Sequence, residues 1–144
     1  NLNNPNRIST DFNIFDDHSF KDENNNDKEH CECCLFPTTN DNNTWVGFVE
    51  IKDCKSKNIV EWKDKVKEQI INVVRLFIND HIIDKQRIYG IISFPRRNKV
   101  SFDQTIFDDY TEYKKLFKEE RIHFIASNNV TIENERSIIP FDDE

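Results

Sequence analysis

The segment Val46-Gly47-Phe48-Val49-Glu50-Ile51-Lys52-Asp53 is apolar as far as Val49 and then turns charged. In a strand successive side chains alternate between faces, so Glu50 and Lys52 set a carboxylate and an ammonium on the same face. A second acid, Glu32, stands in the upstream strand-like segment His30–Phe36, and the stretch between the two, Pro37–Thr44, is dense in Thr, Asn and Asp, as a turn requires. A hairpin turning near Asn40–Asp41 pairs residues whose numbers sum to about 82, which places Glu32 opposite Glu50; a one-residue bulge at Gly47 would shift this slightly. Two carboxylates about 5 Å apart between apolar strands repel each other unless a cation joins them. Mg²⁺ suits such a place, since it takes one or two carboxylates and completes its shell with waters and substrate phosphate. Lys52 would then orient or activate the attacking water, or hold the scissile phosphate. The chemistry indicated is metal-assisted hydrolysis of a phosphodiester.

These residues resemble the PD-(D/E)xK nuclease superfamily, the restriction-endonuclease-like proteins. Its members share a small α/β core in which an acid on one hairpin strand faces an E-x-K triplet at the end of the next, followed by a helix. The matching positions are Glu32, Glu50-Ile51-Lys52 and the helix pattern beginning near Glu61, so the likeness covers about Glu29 to Phe94. Glu32 stands in Cys31-Glu32-Cys33-Cys34, where members usually carry an Asp after a Pro. The resemblance implies that Glu32, Glu50 and the carbonyl of Ile51 ligate Mg²⁺ or Mn²⁺ and that Lys52 serves the nucleophilic water. It further implies that Gln69, on the core-facing stripe of the helix, points back to the site. The iron–sulfur cluster of some members is not implied, because Cys31, Cys33, Cys34 and Cys54 fall inside the hairpin and its exit.

Positioning these groups requires the rest of the chain to build a sheet and a helix around them. Trp62, Val66, Ile70, Val73, Val74, Phe77 and Ile78 recur at three- and four-residue spacing, which predicts an amphipathic helix from Glu61 to about Asn79. Arg87–Phe94, an apolar run ended by Pro95, reads as a buried strand. Phe107–Arg121 reads as a second helix, and Ile122–Ala126 and Val130–Glu133 as short strands. Residues 1–29 form a polar N-terminal segment with a first strand around Phe12–Phe15, and residues 30–144 form the nuclease-like domain. The expectation is a single α/β domain with a mixed central β-sheet flanked by helices, a restriction-endonuclease-like core.

With 144 residues the chain is long enough for one sizeable core and too short for two ordinary domains. It begins at Asn1 and contains no Met, so it is expected to be a processed or excised piece. Only two glycines, Gly47 and Gly90, occur, and they are far apart, which excludes a phosphate-cradling glycine-rich loop. No apolar run is long enough to span a bilayer, and no hydrophobic signal core is present, so the expected setting is cytoplasmic and free of membrane. The formal charge of −7 lies wholly in residues 1–53, which hold 11 acids and 4 bases. Broad electrostatic binding of nucleic acid is thereby disfavoured. Local basic groups remain: Lys63, Lys65 and Lys67 on the helix, Lys55 and Lys57 before it, and Arg96, Arg97 and Lys99 after the Pro95 strand end. Lys55, Lys57, Arg96 and Arg97 are the candidate contacts to phosphate.

The partner expected is nucleic acid, DNA favoured, gripped with the help of a homodimer or a larger assembly; a setting in restriction, repair or phage defence is what the resemblance alone implies. Two alternatives stand. One is a non-catalytic protein-binding module, such as an antitoxin, an immunity protein or a degenerate nuclease fold, that uses the acidic first third. The other is a structural zinc protein using Cys31, Cys33, Cys34 and Cys54, although three thiols within four positions read better as buried, reduced strand residues.

Overall fold

The computed structural model describes residues 1–97, 106–107 and 109–140. In chain order its elements are β1 (Leu2–Asn3), β2 (Thr10–Ile14), β3 (Cys33–Pro37), β4 (Trp45–Ile51), α1 (Ile59–Asn79), β5 (Arg87–Ser93), α2 (Tyr110–Glu120), β6 (Ile122–Ala126), β7 (Val130–Ile132) and β8 (Ile138–Pro140). The main sheet has five strands in the order β2-β3-β4-β5-β6. The β2-β3-β4 half is antiparallel, and β4, β5 and β6 run parallel. The chain is thus a small single-domain α/β protein, with a mixed sheet and two long helices among the described residues.

Each parallel step needs a crossover, and α1 and α2 supply them. The strand order advances in one direction through both steps, and crossovers of the same hand then land on the same face. Both helices accordingly pack on one face, where Val66, Ile70, Val73 and Val74 of α1 meet Val46, Phe48, Ile88 and Ile92, and Tyr113 and Leu116 of α2 close the cluster. The expectation was a mixed central sheet flanked by helices, without assigning them to a face. The opposite face is covered by a three-stranded sheet, β1-β7-β8, which packs Val130, Ile132 and Ile138 onto Leu35, Trp45, Tyr89 and Ile91. The Trp45 indole N–H donates to the Asn134 carbonyl at 2.8 Å and ties the two layers together.

Local chemistry explains the element ends. Asp109 caps α2 by accepting from the Glu112 N–H at 2.9 Å, and Arg121 ends it in the left-handed region. Between the helices the buried Lys67 ammonium meets the Glu112 carboxylate at 2.5 Å and the Ile106 carbonyl at 3.0 Å. Gly90 lies beside Phe124 of β6: a Cβ there would sit 2.9 Å from the ring, so any side chain forces the ring to shift. The second helix starts at Tyr110 rather than Phe107, and Phe107 serves the core. The polar first segment is woven into both sheets: β2 is an edge strand paired with β3, and β1 pairs in parallel with β7. Among the described residues no helix is long and apolar enough to cross a membrane.

Candidate active site

The hairpin register follows the expected rule. Cys33 pairs with Val49, Cys34 with Phe48 and Leu35 with Gly47. Regular pairing stops at Cys33, yet the Glu32 N–H still donates to the Val49 carbonyl at 2.9 Å, and its own carbonyl accepts from the Phe15 N–H at 2.9 Å. Glu32 is thereby held at the mouth of the ladder with backbone bonds to both neighbours. Its alternation partners Cys34 and Phe36 belong to the helix-side core, as do Val46 and Phe48 on β4. Glu32 and Glu50 consequently emerge on the helix side and line one cleft of about 300 Å³.

The two carboxylates differ in environment. Glu32 is exposed, whereas Glu50 is only 4% exposed, and its Oε2 is buried with no hydrogen-bond partner. Burial pushes the Glu50 carboxyl up to about 7, and the charge of Glu32 pushes the same way. The charges of Lys52 and Lys65 and the backbone N–H of Glu32 pull it back only in part. The adjoining Cys31 thiol, also lining the cleft, is held far above its ordinary range by burial and by Glu50, and burial pushes Cys33 up to about 11. All four cysteines are free thiols, three of them buried.

Gln69 reaches the cleft from the middle of α1, where its amide donates to the His30 carbonyl at 3.3 Å. Lys52 shares the helix-side face with Glu50, but its ammonium rests on the Trp62 ring, 3.4 Å from the centroid. Ile51 turns its side chain to the opposite face, into an apolar groove with Val49, Cys33 and Phe12, so only its backbone can serve the site. Lys55 and Lys57 are exposed on the approach to α1. Arg96 pairs with Asp53, with Nε to Oδ1 at 2.6 Å and a second contact at 3.3 Å. Arg97 is half-buried and donates its backbone N–H to the Phe94 carbonyl at 2.9 Å. Lys99 lies outside the described residues. The structure therefore gathers Glu32, Glu50 and Gln69 into one cleft, keeps Lys52 beside it, and leaves Lys55, Lys57, Arg96 and Arg97 on the strand-end rim.

One part of the cleft has no counterpart in the motif. The segment following β2 folds over its mouth and contributes Asp17, Asp27, Lys28, Glu29 and His30 to the lining. Phe15 and Phe20 pin this strap by packing on each other, on His30 and on Phe77 of α1, and Glu29 pairs with Lys65 at 2.9 Å. Its sequence signal was two phenylalanines in a run of Asn and Asp, too sparse to show where the run docks.

Two carboxylates from opposed strands are hard oxygen donors of the kind Mg²⁺ or Mn²⁺ takes. The partnerless, buried Oε2 of Glu50 is an atom that such a cation would satisfy. Among the described residues no group of three or more His, Cys, Asp or Glu is placed to hold a metal, so waters or substrate oxygens would complete the shell, and the four thiols form no such group either. Comparison of the chain with protein-family models, with curated proteins and with solved structures finds no match.

Proposed function

We propose that this domain is a metal-dependent nuclease hydrolysing phosphodiester bonds of nucleic acid, DNA before RNA. The observation that carries the reading is the pair Glu32 and Glu50 at the end of one hairpin, one exposed and one buried with an unsatisfied oxygen, lining a cleft beside Lys52 and Gln69. The order of elements supports it as well. Three antiparallel strands, a helix and a parallel strand are the arrangement expected of a restriction-endonuclease-like core.

In this reading Glu32, Glu50 and the Ile51 carbonyl hold Mg²⁺ or Mn²⁺, which when bound supplies positive charge against the phosphate and lowers the pKa of a coordinated water. Lys52 swings off Trp62 on its flexible stem to hold that water or a non-bridging phosphate oxygen. Gln69 fixes the wall of the cleft through His30. The rim bases contact the flanking phosphates, and with so few of them a second copy or a partner module is needed for a firm grip.

Calorimetric titration with MgCl₂ or MnCl₂ tests the site, with wild type run beside Glu32→Ala and Glu50→Ala. Saturable binding that both substitutions abolish is expected, followed by nuclease activity that Lys52→Ala removes. The second reading, a non-catalytic protein-binding module, is favoured by one observation: Asp17, Asp27 and Glu29 line the same cleft and repel a polyanion. Absence of metal binding with DNA and RNA both present would overturn the nuclease and leave that module.

A further inference from the structure

The loop that carries Arg96 and Arg97 is built as a tight turn. Its four residues are Phe94-Pro95-Arg96-Arg97; the Arg97 N–H donates to the Phe94 carbonyl at 2.9 Å, and proline occupies the second position, where its fixed φ suits the turn. The turn is held from outside by the side chain of Asn128, which follows β6. Its Oδ1 accepts from the Ser93 hydroxyl at 2.8 Å and from the Phe94 N–H at 2.9 Å. Its Nδ2 donates to the Phe94 carbonyl at 2.9 Å and to the Arg97 carbonyl at 2.8 Å. Only one orientation of the amide satisfies all four groups, because the N–H and the hydroxyl need an acceptor and the two carbonyls need donors.

The clamp reaches further than the turn. The Ser127 N–H donates to the Ile92 carbonyl at 3.0 Å and continues the β5–β6 ladder up to Asn128. Arg96, carried by the turn, pairs with Asp53, the residue after Lys52, and the Lys52 N–H donates to the Ser93 carbonyl at 2.9 Å. The exits of β4, β5 and β6 are thus tied at one point. Ligands of open α/β sheets bind outside such carboxyl ends of parallel strands.

We infer that Asn128 is a positioning residue: it holds the Phe94–Arg97 turn so that Arg96 and Arg97 are presented to the phosphates flanking the cleft, an inference that rests on the nuclease reading. A loose turn would still carry both arginines but would have to order them on binding, and that ordering offsets part of what each phosphate contact contributes.

The test is equilibrium binding of a labelled random-sequence DNA duplex and of the matching single strand, without divalent cation, across a series of salt concentrations. Four proteins are compared: wild type, Asn128→Ala, Arg96→Ala/Arg97→Ala and the triple variant. Each lost phosphate contact lowers the slope of log affinity against log salt by about one unit. Asn128→Ala is expected to weaken binding about three- to tenfold at each salt concentration while keeping the slope, and to add nothing in the background lacking both arginines, where the slope itself falls by roughly two units. Asn128→Ser, which keeps a small polar group, serves as a second variant if the alanine protein does not fold. A thermal-stability loss with wild-type affinity retained would make Asn128 merely structural and overturn the inference, as would an effect that persists without the arginines. Wild-type protein showing no salt-dependent binding would overturn the nuclease reading itself, and the inference with it.

Discussion

Replacing Glu50 by Gln should make the metal-free protein more stable, and the gain should grow with pH. The carboxyl has an ordinary value of 4.5 and is pushed up to about 7 in the fold, so the folded state prefers it protonated. Below about pH 4.5 both folded and unfolded chains carry the proton, and the shift has no effect. Between 4.5 and 7 the unfolded chain releases its proton while the folded one retains it, and stability falls as pH rises. Above 7 the full penalty is present. At 1.36 kcal/mol per unit, the shift corresponds to about 3 kcal/mol. Gln is nearly isosteric and carries no charge, so Glu50→Gln should match wild type near pH 4.5 and exceed it by about 2 to 3 kcal/mol at pH 8. Urea unfolding of both proteins at the two pH values, in EDTA, measures this directly. The difference between proteins cancels other carboxylates, such as Asp16, Asp22 and Asp27, whose values are lowered by hydrogen bonds. Equal stability at pH 8 would refute the argument that this carboxylate is ionised at a penalty in a buried, unpartnered position.

Two further changes probe the scaffold. Gly90→Ala sets a methyl group 2.9 Å from the Phe124 ring and should destabilise by about 1 to 3 kcal/mol, read as a lower urea midpoint at unchanged m-value. Lys67→Ala strands Glu112 at the helix interface and should cost roughly 3 kcal/mol, whereas Lys67→Met combined with Glu112→Leu should recover most of it in the same assay.

The hairpin was legible because strand pairing has a period of two and its turn announces itself: once Pro37–Thr44 is read as the connection, Glu32 can only approach Glu50 from the same face. Helix α1 was legible for the same kind of reason, a long apolar stripe with one period. The second layer was not. β1 has two residues and pairs with β7 more than a hundred residues further on, which no local pattern encodes, and β8 has only three residues. The expected mixed sheet with helices against it is present; what went unread is that Val130–Ile132, expected as the strand Val130–Glu133, joins Ile138–Pro140 to fill the second face, the latter too short to show alternation. At the site, Lys52 was placed on the correct face but not on Trp62, since which ring an ammonium rests on depends on the tilt of α1. The acidic strap and Asn128 went unseen for a related reason. An asparagine in a turn looks the same in sequence whether it faces water or holds a neighbouring loop by four bonds.

The parallel pairing of Leu2–Asn3 with Val130–Thr131 has a bearing on how the molecule comes into being. A chain emerging from the ribosome can form the β2-β3-β4 meander early, because those contacts are local, and with it the two opposed carboxylates. The Phe94–Arg97 turn, by contrast, waits for Asn128, and β1 waits for β7. A partly made chain can therefore carry Glu32 and Glu50 before the turn that bears Arg96 and Arg97 is clamped. The two come together only when nearly the whole described chain has been made, so on the proposed reading a nascent chain would hold the two carboxylates without the ordered basic rim.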